Sequence, residues 1–345
     1  MVAPKLDIPW PEEGLEKVPA CPVCGSTERA VRFGSLVDRT FFVAPGKWTL
    51  MQCENCRSGY LDPRPTADSI GLAYSNYYTH ELKRVAAEEL SGRRLWQRKL
   101  ANGYKNRRFG TTLRPASILG SLVAAVLPGQ RMILDRQFRK LERGKAGRVL
   151  DIGCGDGTFL DNAISMGWQA VGTDFDPMVV AQARARGLEV YQGTIEDVPG
   201  TFDAITLCHV IEHLHDPVAT LKQCFARLNP GGFIWIETPS IDALGLTRYG
   251  PAWRGLEPPR HLVLFNRESL RQALDGSGFG SIEELAQPSV VEGIWTMSDR
   301  IARGVDPYAE EPVSPAASKE IQVATRVERA DASKREFLLV KARKG

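Results

Sequence analysis

A glycine-rich segment that follows a short apolar run is the feature that most restricts what this chain can fold into. It reads VLDIGCGDGTFL from Val149 to Leu160, with strand character before the glycines and helical character after them. Glycines permit a tight turn and a close approach of the backbone to a ligand. A dinucleotide fingerprint, G-x-G-x-x-G, needs its third glycine at position 158. The chain has Thr158 there, and Gly157 comes one residue early, so the spacing disfavours an NAD site.

Strand and helix patterns alternate after this segment. The strand segments are Arg148–Asp151, Gln169–Asp174, Leu188–Tyr191, Ala204–Cys208, Phe233–Glu237 and Glu336–Ala342. The helical segments are Thr158–Met166, Pro177–Arg186, Pro217–Leu228 and Arg267–Asp275. Such alternation is typical of an α/β fold with an open, mostly parallel sheet and helices on both faces, and such folds bind ligands beyond the carboxyl ends of their strands. We also predict an exposed loop over Asp306–Ser318.

Two pairs of cysteines lie near the N-terminus. Cys21 and Cys24 form one C-x-x-C pair, Cys53 and Cys56 form the second, and 28 residues separate the pairs. Four thiolates in paired knuckles suit a tetrahedral Zn²⁺ ion, and a site filled by four protein ligands is structural. The pattern predicts a zinc-ribbon domain over residues 1–65.

An acidic residue ends the second strand of the alternating region. Asp174 lies 23 residues after Asp151, at the tip of the neighbouring strand. A carboxylate at this point can accept hydrogen bonds from both hydroxyls of a ribose. Phe175, the next residue, is placed to flank an adenine ring. These positions predict a nucleoside site beside the glycine turn.

Taken together, these segments resemble the class I S-adenosylmethionine-dependent methyltransferases. Motif I of that family has the pattern acidic-x-G-x-G-x-G, which this chain matches with Asp151, Gly153, Gly155 and Gly157. The turn Leu228-Asn-Pro-Gly-Gly232 and the final strand EFLLVKARK resemble later elements of the family. The resemblance covers residues 147–345. It implies a Rossmann-like sheet that binds S-adenosylmethionine, and an enzyme that transfers its methyl group to an oriented acceptor.

The resemblance also implies roles for residues after the third and fourth strands. In this family an acidic residue after the third strand contacts the adenine amino group, and Glu196 and Asp197 are both in position to do so. Cys208 ends the fourth strand, where we expect it to line the cofactor pocket or to pack beside it.

Four of the five histidines fall between positions 209 and 261. The run CHVIEHLHD begins at Cys208, directly after the fourth strand, where the methyl group would be presented. Three interpretations remain open. His261 or His209 is a general base that removes a hydroxyl proton, a divalent metal is bound here, or the Glu-His pair only packs the start of a helix. The metal ligands would be His209, Glu212, His213 and His261.

The metal interpretation rests on a further resemblance. The run looks like the E-x-x-E-H motif, with a distant histidine, of the ubiquinone-biosynthetic O-methyltransferases and the small-RNA 2′-O-methyltransferases. Those enzymes use a metal to hold neighbouring oxygens of the acceptor. Here His209 replaces the first glutamate. Imidazole suits zinc or iron-type ions better than magnesium, so the replacement argues against magnesium.

A proline-rich stretch between Tyr249 and His261 follows the fifth strand. It carries Trp253, Arg254 and Arg260. As a lid over the acceptor, Trp253 would stack on a sugar ring, and either arginine would hold a phosphate or carboxylate. The alternative is a rigid surface loop with Trp253 in the core.

The segment from Lys83 to Lys145 is strongly basic. It holds 16 Lys or Arg and 4 Asp or Glu, although the whole chain carries a net charge of only +3. Helical spacing, which begins near Leu82, predicts a helical cap or insert over residues 66–146. The apolar run Ala116–Leu127 lies among the basic residues. Three roles remain open: a solvated face over the cofactor pocket, an anionic membrane surface, or a site for a diphosphate-linked acceptor or RNA.

The N-terminal third resembles a bacterial subgroup of class I methyltransferases with zinc-ribbon heads. The resemblance rests on the cysteine pairs, Gly59–Thr66 and a tyrosine-rich turn at Tyr74–Tyr78. It implies glycan or natural-product tailoring, with a hydroxyl of a small-molecule, lipid-linked or nucleotide-linked sugar as acceptor. Two alternatives stay open, a metal-dependent RNA 2′-O-methyltransferase and a non-catalytic module that binds nucleic acid. Nucleic acid is the less favoured partner because the ribbon lacks a dense basic and aromatic stripe.

Composition and segment lengths guide the expected location. No apolar run reaches the about 20 residues that a spanning helix needs, and the first residues lack the pattern of a secretory signal. We expect a cytoplasmic protein, placed at the inner membrane face if the basic segment binds lipid.

Overall fold

Short antiparallel strands build the N-terminal unit in the computed structural model, which describes residues 8–74, 92–145 and 147–345. The strands are β1 (Leu15–Glu16), β2 (Arg29–Leu36), β3 (Trp48–Cys53), β4 (Gly59–Leu61) and β5 (Arg64–Pro65). β1 pairs with β5, and β2, β3 and β4 form a second sheet. The rings of Trp10 and Trp48 meet edge to face at 5.3 Å and help to fill a small core.

Three helices follow: α1 (Gly92–Phe109), α2 (Gly120–Val126) and α3 (Pro128–Arg136). α1 and α2 cross closely at Gly120, where an added Cβ would lie 2.0 Å from the carbonyl oxygen of Leu100. Phe109 stacks on Phe138 at 3.9 Å. Pro128 opens α3, which suits its fixed φ. The helical spacing predicted near Leu82 and the tyrosines after Tyr74 lie outside the described residues.

The remaining chain forms a seven-stranded mixed sheet with helices on both faces. Its elements are β6 (Arg148–Ile152), α4 (Thr158–Ser165), β7 (Gln169–Asp174), α5 (Pro177–Ala185), β8 (Glu189–Gln192), β9 (Phe202–Cys208), α6 (Pro217–Arg227), β10 (Leu228–Pro239), α7 (Leu244–Tyr249), β11 (Val263–Leu264), α8 (Arg267–Gly276), β12 (Gly280–Glu284), α9 (Val291–Ala302), α10 (Pro315–Ala330) and β13 (Phe337–Arg343). The strand order is β12-β13-β10-β9-β6-β7-β8. β6 to β10 run parallel, and β13 runs antiparallel to β10.

The predicted α/β, Rossmann-like architecture is confirmed. All six predicted strands belong to this sheet, and its central strands are buried along most of their length because helices cover both faces. The predicted loop over Asp306–Ser318 is wrong at its end. α10 begins at Pro315, and the side chain of Ser314 caps it by accepting from the Ala317 amide. A proline at the first helical position starts a helix there, although the sequence analysis took it as a loop signal.

A strand from the second half of the chain completes the N-terminal sheet. β11 belongs to the second half of the chain but pairs antiparallel with β4, which makes the N-terminal sheet four-stranded. The amide of Asn266 also donates to the backbone oxygen of Cys56 at 2.9 Å. Among the described residues, no helix is both long and apolar enough to cross a bilayer.

Candidate functional site

A cavity of about 340 Å³ lies at the carboxyl ends of β6, β7 and β9. In an open α/β sheet this edge is the usual ligand-binding position. Residues from the glycine turn, from β7, from the histidine run and from the N-terminal unit all reach it. They are Ile70, Tyr74, Gly153, Gly155, Asp156, Asp174, Phe175, Asp176, Val179, His209, Val210, His213, Leu214 and His215.

The glycine turn brings bare backbone to the cavity. Gly153 has a φ of 66°, and an added Cβ would lie 2.5 Å from Val210 Cγ2. Only glycine fits both conditions without strain. Gly155 donates its amide to Asp174 Oδ2 at 3.0 Å, which ties the turn to the end of β7. Gly157 is the N-cap residue of α4 and has a φ of 70°. It is not among the residues that line the cavity.

Asp174 presents a buried carboxylate at the cavity wall. Its Oδ1 accepts from the Asp176 amide at 3.0 Å, in addition to the bond from Gly155. Each carboxylate oxygen can accept a second hydrogen bond, so the group can still hold ribose hydroxyls. Burial raises the pKa of Asp174, and the backbone hydrogen bonds oppose that rise.

An aromatic wall stands beside Asp174. Phe175 is 58% exposed and lines the cavity, and Tyr74 of the N-terminal unit meets its ring edge-on at 5.0 Å. The Tyr74 hydroxyl also lies 3.1 Å from His213 Nδ1. Sequence reasoning did not assign Tyr74 to the site. The tyrosine-rich turn was the available signal, but nothing local linked it to a strand more than a hundred positions away.

Other residues predicted to hold the cofactor lie outside the cavity lining. Asp151 is fully buried, accepts from Thr206 Oγ1 at 2.8 Å and pairs with Arg139. Cys208 is not among the lining residues either, and burial raises the pKa of its thiol. The interior encloses the carboxylate of Asp151, so we correct its assignment to the cofactor. Cys208 is partly exposed, and its predicted place in or beside the cofactor pocket stays a prediction. The sequence analysis did not anticipate Arg139, which arrives from the helical unit.

The two acidic residues after β8 have local partners. Asp197 Oδ2 accepts from the Thr194 amide at 2.8 Å, closing the turn that both residues belong to. Glu196 accepts from Gln223 Nε2. Neither is among the residues that line the cavity, so the predicted contact with adenine stays a prediction for both.

His209 lies between two buried carboxylates. Its Nδ1 is 3.4 Å from Glu212 Oε1, and its Nε2 is 3.5 Å from Glu237 Oε1. Burial lowers the pKa of His209, but the two carboxylates outweigh it, and the pKa lies well above 6.5. A charged imidazole has no lone pair for a proton. This geometry argues against the predicted role of His209 as the base. Glu237, which the sequence analysis missed, also pairs with Arg136 of α3.

Three of the four predicted metal ligands converge. One ligand atom each of Glu212, His213 and His261 lies within 4.8 Å of the others. His213 Nδ1 is 2.9 Å from the backbone oxygen of Arg260, and His261 Nδ1 is 2.8 Å from that of Gly255. A carbonyl oxygen only accepts, so both Nδ1 atoms carry the proton and both Nε2 atoms carry a lone pair when the rings are neutral.

The carboxylate of the same cluster is ionised. Burial raises the pKa of Glu212, but the neighbouring imidazoles, His209 first, lower it to about 2. Its Oε2 accepts from Thr238 Oγ1 at 2.9 Å. From the described residues, Oε1 receives only the 3.4 Å contact with His209 and no hydrogen bond of good geometry. Two imidazoles, each with an Nε2 lone pair, and a carboxylate oxygen without a hydrogen bond from the described part of the chain therefore belong to one cluster, an arrangement that suits a bound cation.

Similarity to known proteins decides the type of domain that carries this cavity. Residues 129–284 match a family described as a methyltransferase domain. The chain contains a class I methyltransferase domain. The match includes the glycine turn, the aspartate at the end of β7 and the histidine run. The predicted methyltransferase family is confirmed, and the predicted domain bounds, 147–345, stay a prediction.

Relatives of this methyltransferase domain carry related names. A "Ubiquinone biosynthesis O-methyltransferase" of Xanthomonas campestris pv. campestris (strain B100) is 37% identical over 101 residues, which cover 26% of this chain and 42% of that protein. A "Probable S-adenosylmethionine-dependent methyltransferase" of Mycolicibacterium smegmatis is 30% identical over 148 residues, 41% of this chain and 56% of that protein. The chain thus spans about half the length of these curated relatives.

A solved structure of a SAM dependent methyltransferase from Archaeoglobus fulgidus also aligns with the chain. Its TM-score is 0.42 at 20% sequence identity, and the alignment covers 64% of this chain and 94% of that one.

The proline-rich stretch after β10 does not form a lid on the methyltransferase domain. Trp253 is 2% exposed, and its indole donates to Glu336 Oε2 at 2.8 Å. Arg254 pairs with the buried Glu257. Arg260 is fully buried and forms a bidentate pair with Asp38 of the N-terminal unit, at 2.6 and 3.1 Å. The predicted contacts of these three residues with the acceptor are wrong, since each side chain already holds the interior together.

The four N-terminal cysteines come together away from the cavity. All four Sγ atoms lie within 4.8 Å of one another, with Cys21 3.6 Å from Cys56 and Cys24 3.5 Å from Cys53. Zn–S bonds of about 2.3 Å in a tetrahedron place sulfur atoms about 3.8 Å apart. The arrangement is compatible with zinc.

Proposed function

We propose that this chain uses S-adenosylmethionine to methylate a hydroxyl group of a sugar or a related metabolite. The observation that carries the proposal is the cavity in the methyltransferase domain, because it combines a backbone cradle, a nucleoside-binding carboxylate and histidines at one edge of the sheet. Gly153 and Gly155 approach the cofactor, Asp174 accepts its ribose hydroxyls and Phe175 flanks its adenine. Transfer then depends mainly on orientation and on removal of the acceptor proton.

We further propose that Glu212, His213 and His261 hold a divalent metal. Two imidazole nitrogens and one carboxylate oxygen suit zinc, manganese or iron better than magnesium. When bound, such an ion lowers the pKa of an acceptor hydroxyl and holds a neighbouring oxygen. The protein's own part is to fix both imidazole rings through the carbonyls of Arg260 and Gly255, as outer hydrogen bonds do in other metal sites.

A second candidate is a base without a metal. His213 favours it because, of the two histidines in this cluster, it is the one that lines the cavity. Burial lowers the pKa of His261 to about 4, so that ring is neutral at pH 7, but it lies deeper in the protein. In this variant His213 Nε2 takes the hydroxyl proton, while Tyr74 and the carbonyl of Arg260 hold its Nδ1.

Hydroxyl acceptors are supported by the relatives named as O-methyltransferases. A sugar is supported by the resemblance of the N-terminal unit to zinc-ribbon methyltransferases of glycan and natural-product tailoring. For that unit we propose a structural Zn²⁺ ion on Cys21, Cys24, Cys53 and Cys56. RNA 2′-O-methylation and non-catalytic binding of nucleic acid are the competing outcomes of the test below.

The test is product formation by the full chain. S-adenosylhomocysteine is measured by mass spectrometry after incubation with S-adenosylmethionine and nucleotide sugars, lipid-linked sugars, simple diols or short RNA. We expect turnover with a sugar hydroxyl, loss of turnover after mild chelation, and recovery with manganese, iron or zinc. Circular dichroism confirms that chelation leaves the fold intact. Turnover with RNA alone would replace the sugar proposal, and turnover that resists metal removal would favour His213 as the base.

A further inference from the structure

Helix α2 exposes an apolar face that a water-soluble surface helix does not normally show. Gly120 and Ala124 form its buried side. The exposed side and the flanking residues are all large and apolar: Ile118 (92% exposed), Leu119 (44%), Leu122 (64%), Val126 (75%) and Leu127 (47%). We call this set the α2 face. Contiguous exposed apolar groups of this kind mark interaction surfaces.

Neighbouring helices extend the same character. Trp96 of α1 is 53% exposed and Ile133 of α3 is 44% exposed. Between the three helices lies an open groove of about 620 Å³ with Leu127 and Leu134 in its wall and Arg93 and Arg98 at its edge. An exposed tryptophan in the same helical unit as exposed aliphatic side chains is typical of segments that lie in a membrane interface.

The segment that contains the α2 face carries mostly positive charge. Residues 92–145 contain 14 Lys or Arg and two Asp or Glu. The cations exposed to solvent are Arg93, Arg94, Arg107, Arg108, Arg114, Arg131, Lys140, Arg143 and Lys145. A segment with this charge is attracted to a polyanionic surface. Each Lys or Arg side chain close to anionic lipid adds to that electrostatic attraction.

We propose that the α2 face docks the protein on an anionic membrane surface. A bilayer offers an anionic headgroup layer for the cations and an apolar layer for Ile118, Leu122 and Val126. RNA matches the charge but offers no apolar phase to these three side chains, and a second copy of this chain would bring another +12 segment against the first. The membrane is therefore the occupant that satisfies both features. This inference stands independently of the proposed reaction.

Docking through the α2 face would also fix the orientation of the methyltransferase domain relative to the membrane surface. Arg136, in the last turn of α3, pairs with Glu237, and Arg139 just after it pairs with Asp151 beneath the glycine turn. Arg139 also lies over the ring of Phe159 at 4.1 Å. These contacts join the basic helices to the edge of the sheet that carries the cavity.

The test is sedimentation of the full chain with vesicles of phosphatidylcholine alone or of phosphatidylcholine with one third phosphatidylglycerol. We expect binding to the anionic vesicles only, and weaker binding as salt rises. The double variant Leu122→Glu/Val126→Glu should lower vesicle affinity at least about tenfold, because two apolar side chains no longer enter the interface. Val323→Glu on α10, at a residue with 60% exposure, is the matched control and should bind as the wild type does.

Several results would overturn the proposal. They are the absence of sedimentation with anionic vesicles at low salt, and equal binding by the double variant while circular dichroism shows both proteins folded. A dimer of the wild type that the double variant dissociates, without vesicle binding by either, would show that a second copy covers the α2 face. Binding of RNA in place of vesicles, unchanged by the double variant, would assign the charge to nucleic acid.

Discussion

Asp174 is the residue on which the cofactor assignment depends most. It lies at the end of β7 and accepts a hydrogen bond from Gly155 of the glycine turn. Its carboxylate lines the cavity, where it can accept hydrogen bonds from ribose hydroxyls. The sequence predicted its position because strand ends in a parallel sheet meet at one edge.

Substitution of this carboxylate tests its role. Asp174→Asn should weaken binding of S-adenosylmethionine about 10- to 100-fold, because hydrogen bonds to a charged acceptor contribute about 1.5–3 kcal/mol. Titration calorimetry measures the change. Asp275→Asn on α8, whose side chain is 55% exposed, is the control and should keep the wild-type affinity. Equal affinities in all three proteins would remove Asp174 from the site.

The buried cluster makes a separate prediction about metal content. The wild type should hold two metal ions per chain by elemental analysis, one on the cysteines and one on the cluster of Glu212, His213 and His261. Glu212→Gln should retain one ion. Two neutral imidazoles carry no charge, and the amide of glutamine does not supply the negative charge that the carboxylate brings to a divalent cation. The exposed Glu292→Gln on α9 should retain both. One ion in the wild type, unchanged in Glu212→Gln, would leave the cluster without a metal.

The residues that sequence reasoning placed wrongly have distant partners. Trp253 meets Glu336, 83 positions away, and Arg260 meets Asp38, 222 positions away. Both residues were predicted to bind the acceptor because tryptophan and arginine in a proline-rich stretch are typical of ligand-binding loops. Neither partner gives a local signal, so only the tertiary structure reveals that these side chains hold two parts of the chain together.

At the scale of elements, a buried ion pair joins the N-terminal unit to the segment that precedes β11. Arg260 and Asp38 are both fully buried. Asp38→Ala should lower the free energy of unfolding by about 3–5 kcal/mol, because the buried guanidinium of Arg260 loses its bidentate charge partner and keeps the longer, 3.5 Å contact with Glu257. Urea unfolding followed by circular dichroism measures it.

An exposed ion pair supplies the control for that substitution. Arg248 and Glu320 pair across α7 and α10 with side chains 47% and 40% exposed. Glu320→Ala should cost less than about 1 kcal/mol, since water screens such a pair. Similar losses in Asp38→Ala and Glu320→Ala would contradict the account of the buried pair.

The N-terminal unit should depend on its metal. Strong chelation, or Cys24→Ser, should remove one ion and lower the melting temperature of the whole protein, because β4 pairs with β11 and Asn266 holds Cys56. Cys224→Ala, at a buried cysteine of α6, should keep that ion. Loss of the ion without any change in the melting curve would show that the cysteines do not support the fold.

Elements with a regular sequence pattern could be predicted well. Elements that form only by pairing with a distant segment of the chain could not. β7 matches its predicted bounds, Gln169–Asp174, because it is a short segment and a helix that starts at a proline follows it. β11 could not be predicted, since its two residues become a strand only by pairing with β4. α9 and α10 were also missed, because their proline-rich surroundings are typical of loops.

At the scale of the whole molecule, three parts meet around one edge of the sheet. The methyltransferase domain supplies the glycine turn and the histidines, the N-terminal unit supplies Tyr74 to the same cavity, and the basic helices reach the turn through Arg139. The order of these parts could be predicted from the sequence. Their convergence could not, because it depends on side chains that join segments far apart in the chain.

The most direct test is a crystal structure of the full chain with S-adenosylhomocysteine. Our account predicts the nucleoside in the cavity beside Gly153, with both ribose hydroxyls within about 3 Å of the Asp174 carboxylate and the sulfur facing the side of His209 and His213. A nucleoside bound elsewhere, or one whose ribose lies away from Asp174, would contradict it.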